Sequence, residues 1–322
     1  MVMLMRGDYM EDLKELYCSE MKYNGLNNME KIQQYNLKRN WSIQRKNIKY
    51  DIEVTTLLNR KKIIIKLSRQ EKFDKVFGLL CEILRYECLF DGQFFSLDKI
   101  EVDGIDVSLE VGKIMLSYYS GERSYTILEQ PMNDSIYKRG FCAWERYTKK
   151  TLYINQLFFY LGFCKDFTSD VRIALFSEIY EPLSEMLADE NKIQLIRSNQ
   201  VREIHCRLCG GSFEEQKPGK TNLKDRIEGI IRKYGEIIFD GDDVSTVSKK
   251  IVNTRNKILH VNAEKRNALD GGQCGFYMIK LVDLYRIIVL CELRLWNDGL
   301  EAELQKSIEK LNEQFQQFRI KG

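Results

Sequence analysis

Apolar positions change their period along this chain, and the changes predict its elements. Residues 8 to 40 are charged, lack proline and carry Met10, Leu13 and Leu16 at helical spacing, which predicts a helix. From Lys49 the spacing shortens. Tyr50 to Leu58 and Lys62 to Ser68, with the Ile63-Ile64-Ile65 run, read as two strands around Asn59-Arg60-Lys61. Phe73, Val76, Phe77, Leu80 and Ile83 then make a helical stripe. Phe95 to Val102, the turn pair Asp103-Gly104 and Ile105 to Val111 predict a hairpin, and Lys113 to Ser120 with Tyr125 to Gln130 extend the sheet.

From Lys149 onward the pattern predicts helices only. Leu152 to Phe163 is apolar and aromatic, and Val171 to Leu187 is a helix started by Thr168, Ser169 or Asp170 and kinked by Pro182. Asn191 to Arg202 continues the array, and Asn222-Leu223-Lys224-Asp225-Arg226-Ile227 opens a helix through Ile230, Ile231 and Tyr234 to Gly235. Phe276 to Trp296 is the longest apolar helix, and Glu301 to Phe318 is an amphipathic one suited to packing. The fold class is therefore α+β. Residues 1–145 form an α/β domain with a small, mainly antiparallel sheet, and residues 146–322 form a helical domain.

At 322 residues two domains are the expectation. Fifty Lys and Arg against 47 Asp and Glu leave a net charge of +3, far from the basicity of a protein that coats nucleic acid. Contact with a polyanion would have to be local. Met1 to Lys14 holds acidic residues and no sustained apolar core, so no signal or transit peptide is expected. The 276–296 helix is interrupted by Lys280, Asp283, Arg286, Glu292 and Arg294, which predicts a buried protein helix and no membrane span. Nine scattered cysteines without an export signal predict reduced thiols in a cytoplasm.

The candidate chemistry lies in Arg255-Asn256-Lys257-Ile258-Leu259-His260, which holds one of only two histidines. Histidine exchanges protons near neutrality, and arginine presents a permanently charged fork that fits phosphate oxygens. Such a pair can work on a phosphodiester without a metal. Val244, Val247, Ile251 and Ile258 share a helical face, Asp242 or Asp243 can cap the start and Asn262 suits the end. The motif thus occupies the last turns of an amphipathic helix. On an ideal helix Asn256 and His260 are neighbours, whereas Arg255 is about 140° around the axis from His260. Joint action on one phosphate needs the long arginine side chain, a loosened helix end or a second subunit.

On these residues the segment 221–298 resembles the catalytic half of a HEPN ribonuclease, most closely the ApeA-like branch. Arg255, Asn256 and His260 fit the family signature at its shortest spacing, while Val261 stands where many such members have an aromatic residue. The resemblance implies an all-α HEPN-type bundle and a metal-independent endoribonuclease that leaves 2′,3′-cyclic phosphate and 5′-hydroxyl ends. It assigns His260 as general acid or base, Arg255 to charge on the phosphorane-like transition state, and Asn256 to orienting His260 or the phosphate. It further implies RNA, with transfer RNA a candidate, as substrate. It also implies a two-fold homodimer sharing one cleft, a defence or toxin role, a sensing or regulatory amino-terminal domain, and no cofactor.

Three other constellations compete. Cys206 and Cys209 resemble half a zinc knuckle, but a full site needs two further ligands, which Cys142, Cys164 or His205 would have to supply, so no metal is assigned. Pro218-Gly219-Lys220-Thr221 ends like a phosphate-binding loop, yet Glu214 stands where its first glycine is required. Glu178, Glu181 and Glu185 read as a solvated stripe. HEPN folds often set a polar side chain from a neighbouring helix against the motif, which makes Glu178 a candidate for that place, outside the assigned site. A different class of function also fits the helices: a non-catalytic HEPN-type module for dimerisation or nucleotide binding beside another protein.

Overall fold

The computed structural model describes residues 13–21, 37–57, 60–92, 96–108, 126, 128–131, 133–163, 167–194, 199–205, 212–218, 221–261 and 267–321. Two compact units are formed. One comprises Met1–Asp166 with Arg286–Ser307, the other Phe167–Tyr285 with Ile308–Gly322.

The first unit is built on a six-stranded antiparallel sheet in the order β2-β3-β4-β1-β5-β6. Its strands are β1 (Leu13–Met21), β2 (Leu37–Arg45), β3 (Ile48–Leu57), β4 (Arg60–Glu71), β5 (Ser96–Val102) and β6 (Ile105–Asp106). The β3–β4 pair follows the sequence expectation, and β5–β6 forms at the expected turn, but the strand expected over Ile105 to Val111 ends at Asp106: Val107 and Ser108 are not strand, and residues 109–111 lie outside the described residues. Period two is visible in burial: Tyr50, Ile52 and Val54 are buried on β3, and Ile63 and Ile65 on β4. The helix expected over residues 8–40 is overturned, because Leu13–Met21 is a strand and Leu37–Arg45 another. In β1, Leu16 pairs with Ile65 on one side and Val102 on the other, so the sheet satisfies the backbone from both edges and overrides helical spacing. The strand expected over Tyr125 to Gln130 is not formed at residues 128–130, where Leu128 N–H donates to the Phe90 carbonyl. Lys113 to Ser120 lies outside the described residues.

Helix α1 (Phe73–Asp91) packs on one sheet face with Phe73, Val76, Leu80 and Ile83, and its C-terminus turns at Gly92, whose φ of 64° suits glycine. Helix α2 (Asp134–Lys150), unforeseen in the sequence pattern, is capped by Asn133 and buries Tyr137, Phe141 and Trp144 at i, i+4, i+7. Helix α3 (Leu152–Phe163) follows as expected.

The second unit begins with α4 (Ser169–Ser177) and α5 (Tyr180–Asp189), so the helix expected over Val171 to Leu187 is present as two segments that meet just before Pro182. Proline at 182 has no N–H for the Glu178 carbonyl and its ring crowds that carbonyl, so the regular hydrogen bonding is interrupted at Glu178-Ile179, which both keep right-handed helical dihedrals. The carbonyl instead accepts from Glu181 N at 3.4 Å. A second correction follows. Strands β7 (Asn199–His205) and β8 (Ser212–Pro218) form an antiparallel hairpin where only helix was expected, including at Asn199 to Arg202. Cross-strand pairing supplies the backbone partners that a lone, weakly periodic segment lacks.

Helices α6 (Leu223–Tyr234), α7 (Val244–Leu259), α8 (Gly271–Glu292) and α9 (Asp298–Gln314) complete the chain, with a 3₁₀ turn at Gln316–Phe318. Asn222 caps α6 by accepting from Asp225 N at 2.9 Å, and Gly235 follows its end. Helix α7 packs against α4 and α6 through Val247, Ile251 and Thr254, spaced i, i+4, i+7. No described helix is long and apolar enough to cross a membrane.

Candidate functional site: the end of helix α7

Asp243 starts α7 by accepting from Thr246 N at 3.1 Å, and Asp242, the alternative cap, is instead buried against Lys280. Two buried bonds fix the other end. Thr254 Oγ1 donates to the Lys250 carbonyl and accepts from Leu269 N–H, each at 2.9 Å. Asn253 Nδ2 donates to the Asn267 carbonyl at 3.0 Å. The chain that returns after the motif is thereby tied to the turn just before Arg255.

The helix then loosens. His260 is the C-cap at φ −104°, ψ 7°, its N–H still bonded to the Asn256 carbonyl at 3.2 Å, and Val261 turns left-handed at φ 49°. Asn262, expected at the helix end, lies outside the described residues, and the β-branched Val261 takes the left-handed position. Leaving helical geometry at His260 lets the long arginine side chain fold back toward it.

Arg255 Nη1 consequently lies 3.4 Å from His260 Nε2, and the same Nη1 donates to Asn256 Oδ1 at 2.9 Å. Of the three routes to joint action expected from the sequence, the long arginine side chain and a loosened helix end are the two seen within this chain. Asn256 serves the arginine; its expected side-chain pairing with His260 is replaced by that bond and by the backbone one. A guanidinium only donates, so a hydrogen bond between the two uses His260 Nε2 as the acceptor. A histidine that accepts there can also take a proton.

Glu178, at the break between α4 and α5, completes the cluster. Its Oε1 accepts from Arg255 Nε at 2.5 Å, and this hydrogen bond holds the guanidinium above its ordinary pKa. The solvated stripe expected of Glu178, Glu181 and Glu185 therefore does not form as one set. Glu185 pairs with Arg226 at 3.0 Å, and Glu181 is exposed. Arg226 also donates to the Glu181 carbonyl and to Ser184 Oγ, which fastens the first turn of α5 to α6. The sequence signal for Glu178 was Pro182: a proline four residues on marks where a helix must open.

The motif face is only partly covered. Arg255 is 25% and Glu178 34% exposed at the side chain, His260 is exposed, and Leu259 and Val261 are apolar and open to solvent. Nearby Cys274 is buried, and desolvation pushes its thiol up to about 12, which makes it a poor nucleophile. His205 ends β7, while Cys206 and Cys209 lie outside the described residues. Among the described residues no group of three His, Cys, Asp or Glu is gathered as metal ligands.

A helical unit that brings an arginine and a histidine five residues apart together at a helix end has the arrangement expected of a HEPN domain. Residues 175–298 match the family model of Apea-like HEPN domains. The match starts well before the segment 221–298 that resembled the family by motif, and it takes in Glu178 and the break after α4. No curated protein and no solved structure matches the chain.

Proposed function

We propose that the protein is a metal-independent endoribonuclease whose catalytic residues are Arg255, Asn256 and His260. The observation that carries this reading is the single-chain contact of Arg255 Nη1 with both Asn256 Oδ1 and His260 Nε2. When RNA binds, a phosphate oxygen competes for the guanidinium and the Nε2 lone pair is released. His260 takes the proton of a ribose 2′-hydroxyl. The 2′-oxygen attacks phosphorus, and the bond to the 5′-oxygen breaks. Arg255 stabilises charge on the equatorial oxygens, and the leaving 5′-oxygen receives a proton from imidazolium. The products are a 2′,3′-cyclic phosphate and a 5′-hydroxyl.

A homodimer in which two α7 ends share one cleft would supply a second histidine, in its protonated form, as that acid. Leu259 and Val261, apolar and open beside His260, support a partner surface there. The residues 1–145 would sense or restrain, RNA (possibly transfer RNA) would be the substrate, and the setting would be antiviral defence in a bacterial cytoplasm. Incubating the purified full-length chain with total RNA in excess chelator tests the activity. Products should resist phosphatase at the 3′ end and accept phosphate from a polynucleotide kinase at the 5′ end. No cleavage by the wild type under any activating condition would favour the non-catalytic module.

A further inference from the structure

We infer that the outward side of α7 is the path of the RNA strand beside the cut, with Lys257 and Lys249 taking phosphates that flank the scissile one. That RNA is the substrate comes from the ribonuclease reading; the line it follows comes from the helix. From Val244 to His260 the chain carries Lys249, Lys250, Arg255 and Lys257 and no Asp or Glu, so this one helix holds more positive charge than the net +3 of all 322 residues. Angular position sorts these cations. Val247, Ile251 and Thr254 face α4 and α6. At about 100° per residue, Lys249, Asn256 and His260 lie within about 40° of the direction opposite Ile251, and Lys257 within about 60°. Burial agrees, since Lys249, Lys257 and His260 are exposed and Lys250, on the flank, is half-buried. Along the axis Lys257 is about 4.5 Å and Lys249 about 16 Å from His260, so the two address different phosphates of one strand.

The lysines of α7 are also uncompensated, unlike the cations of its neighbour. On α6, Lys224 and Arg232 pair with Glu228 at 2.9 and 2.6 Å, and Arg226 pairs with Glu185 at 3.0 Å. The side chains of Lys249, Lys250 and Lys257 take no hydrogen bond or ion pair among the described residues. Asp170 on α4 feels Lys257 only through space; its carboxyl is held low chiefly by the Thr168 hydroxyl and the Val171 N–H. A solvated helix face ordinarily mixes both signs and adds i,i+4 pairs, and this one has neither. Exposed ammonium groups suit phosphates met in any base sequence, whereas the planar fork of Arg255 suits the phosphate that reacts. Lys249 and Lys257 are therefore binding residues: they set how tightly the strand is held and not how fast it is cut.

The probe is a short single-stranded oligoribonucleotide of mixed sequence, 2′-O-methylated throughout so that it has no internal nucleophile. Its affinity for the full-length protein is followed by fluorescence anisotropy across a salt series. Lys249→Gln and Lys257→Gln should each weaken binding about fivefold at low salt and reduce the slope of log affinity against log salt by about 0.7, the value for one phosphate contact on a single strand. Lys224→Gln, which removes a cation already paired on α6, should bind as the wild type does. A wild-type slope in both α7 variants, an equal loss in Lys224→Gln, or no binding by the wild type overturns the proposal. In the cleavage assay the two α7 variants should raise KM about fivefold with kcat little changed, because contacts to flanking phosphates are the same in the ground and transition states. Cleavage with unaltered KM in both keeps the ribonuclease and removes the path. Lysine-dependent binding by a wild type that cuts nothing does the reverse: the path stands and the ribonuclease reading fails.

Discussion

Arg255 Nη1 stands 3.4 Å from His260 Nε2 within one chain, although five residues of ideal helix would turn the two about 140° apart. The approach depends on His260 being the last residue to keep a helical hydrogen bond while abandoning helical ψ. In the proposed ribonuclease mechanism the two groups work as a unit, so removing either should cost nearly the same. Arg255→Ala and His260→Ala should each lower cleavage about 100-fold or more, with melting temperatures close to wild type. Arg255→Lys should fail as well, because an ammonium cannot hold Glu178 on one edge and face phosphate with the other. Single-turnover rates with circular dichroism melts check this, and full activity in Arg255→Lys would remove the fork from the mechanism.

Thr254 sits one residue before the arginine, 2% exposed, and its hydroxyl is both donor to Lys250 and acceptor from Leu269. Thr254→Val keeps the shape and strands the buried Leu269 N–H, so it should destabilise by about 1–3 kcal/mol, whereas Thr254→Ser should stay close to wild type. Urea titrations of the two variants decide the point. Equal midpoints would show that the hydroxyl bonds contribute nothing.

Lys280 gives a pH dependence with a definite sign. It is fully buried, 2.5 Å from Asp242, with its ammonium 4.7 Å from the Phe276 ring centroid and 5.4 Å from that of Phe239. Burial outweighs the carboxylate and lowers its pKa to about 8. The folded state then sheds a proton that the unfolded chain keeps until roughly pH 10.4, so this group's contribution to stability rises with pH across that window. Cys274 and Tyr277, whose values are raised by burial, act in the opposite direction but remain in both proteins compared. The stability of wild type minus that of Lys280→Met should therefore increase between pH 8 and 10, and a flat difference would refute the assignment.

In the first unit, Lys61 Nζ lies 2.5 Å from both Glu87 and Asp91, and Glu87 also accepts from Gln130 Nε2 at 2.8 Å and from Tyr137. Replacing the lysine removes a counter-charge from the buried Glu87 carboxylate. Lys61→Met should cost about 3–5 kcal/mol, and Lys61→Met combined with Glu87→Gln should recover part of it. Additive losses by calorimetry would show that the two side chains do not act as a pair.

What the sequence determined by itself is whatever depends on local spacing. Tyr50 to Leu58, Lys62 to Ser68 and Asp103-Gly104 carried the hairpins, and Asn222 with Gly235 marked both ends of α6. The Arg255-Asn256-His260 spacing marked the motif later covered by the Apea-like HEPN match. Each of these signals is complete within a dozen residues or so. Tertiary structure alone decided the rest. Leu13–Met21 became a central strand because two neighbours outside its own segment satisfy its backbone, and β7–β8 formed by pairing of the same kind. Pro182 announced a break but not what it would serve. That Glu178 there meets Arg255 follows from the packing of α4 on α7, which no local period encodes. The motif could be read from spacing because helix geometry repeats, whereas its partner could not, because a contact spanning 77 residues is set by the packed core between them.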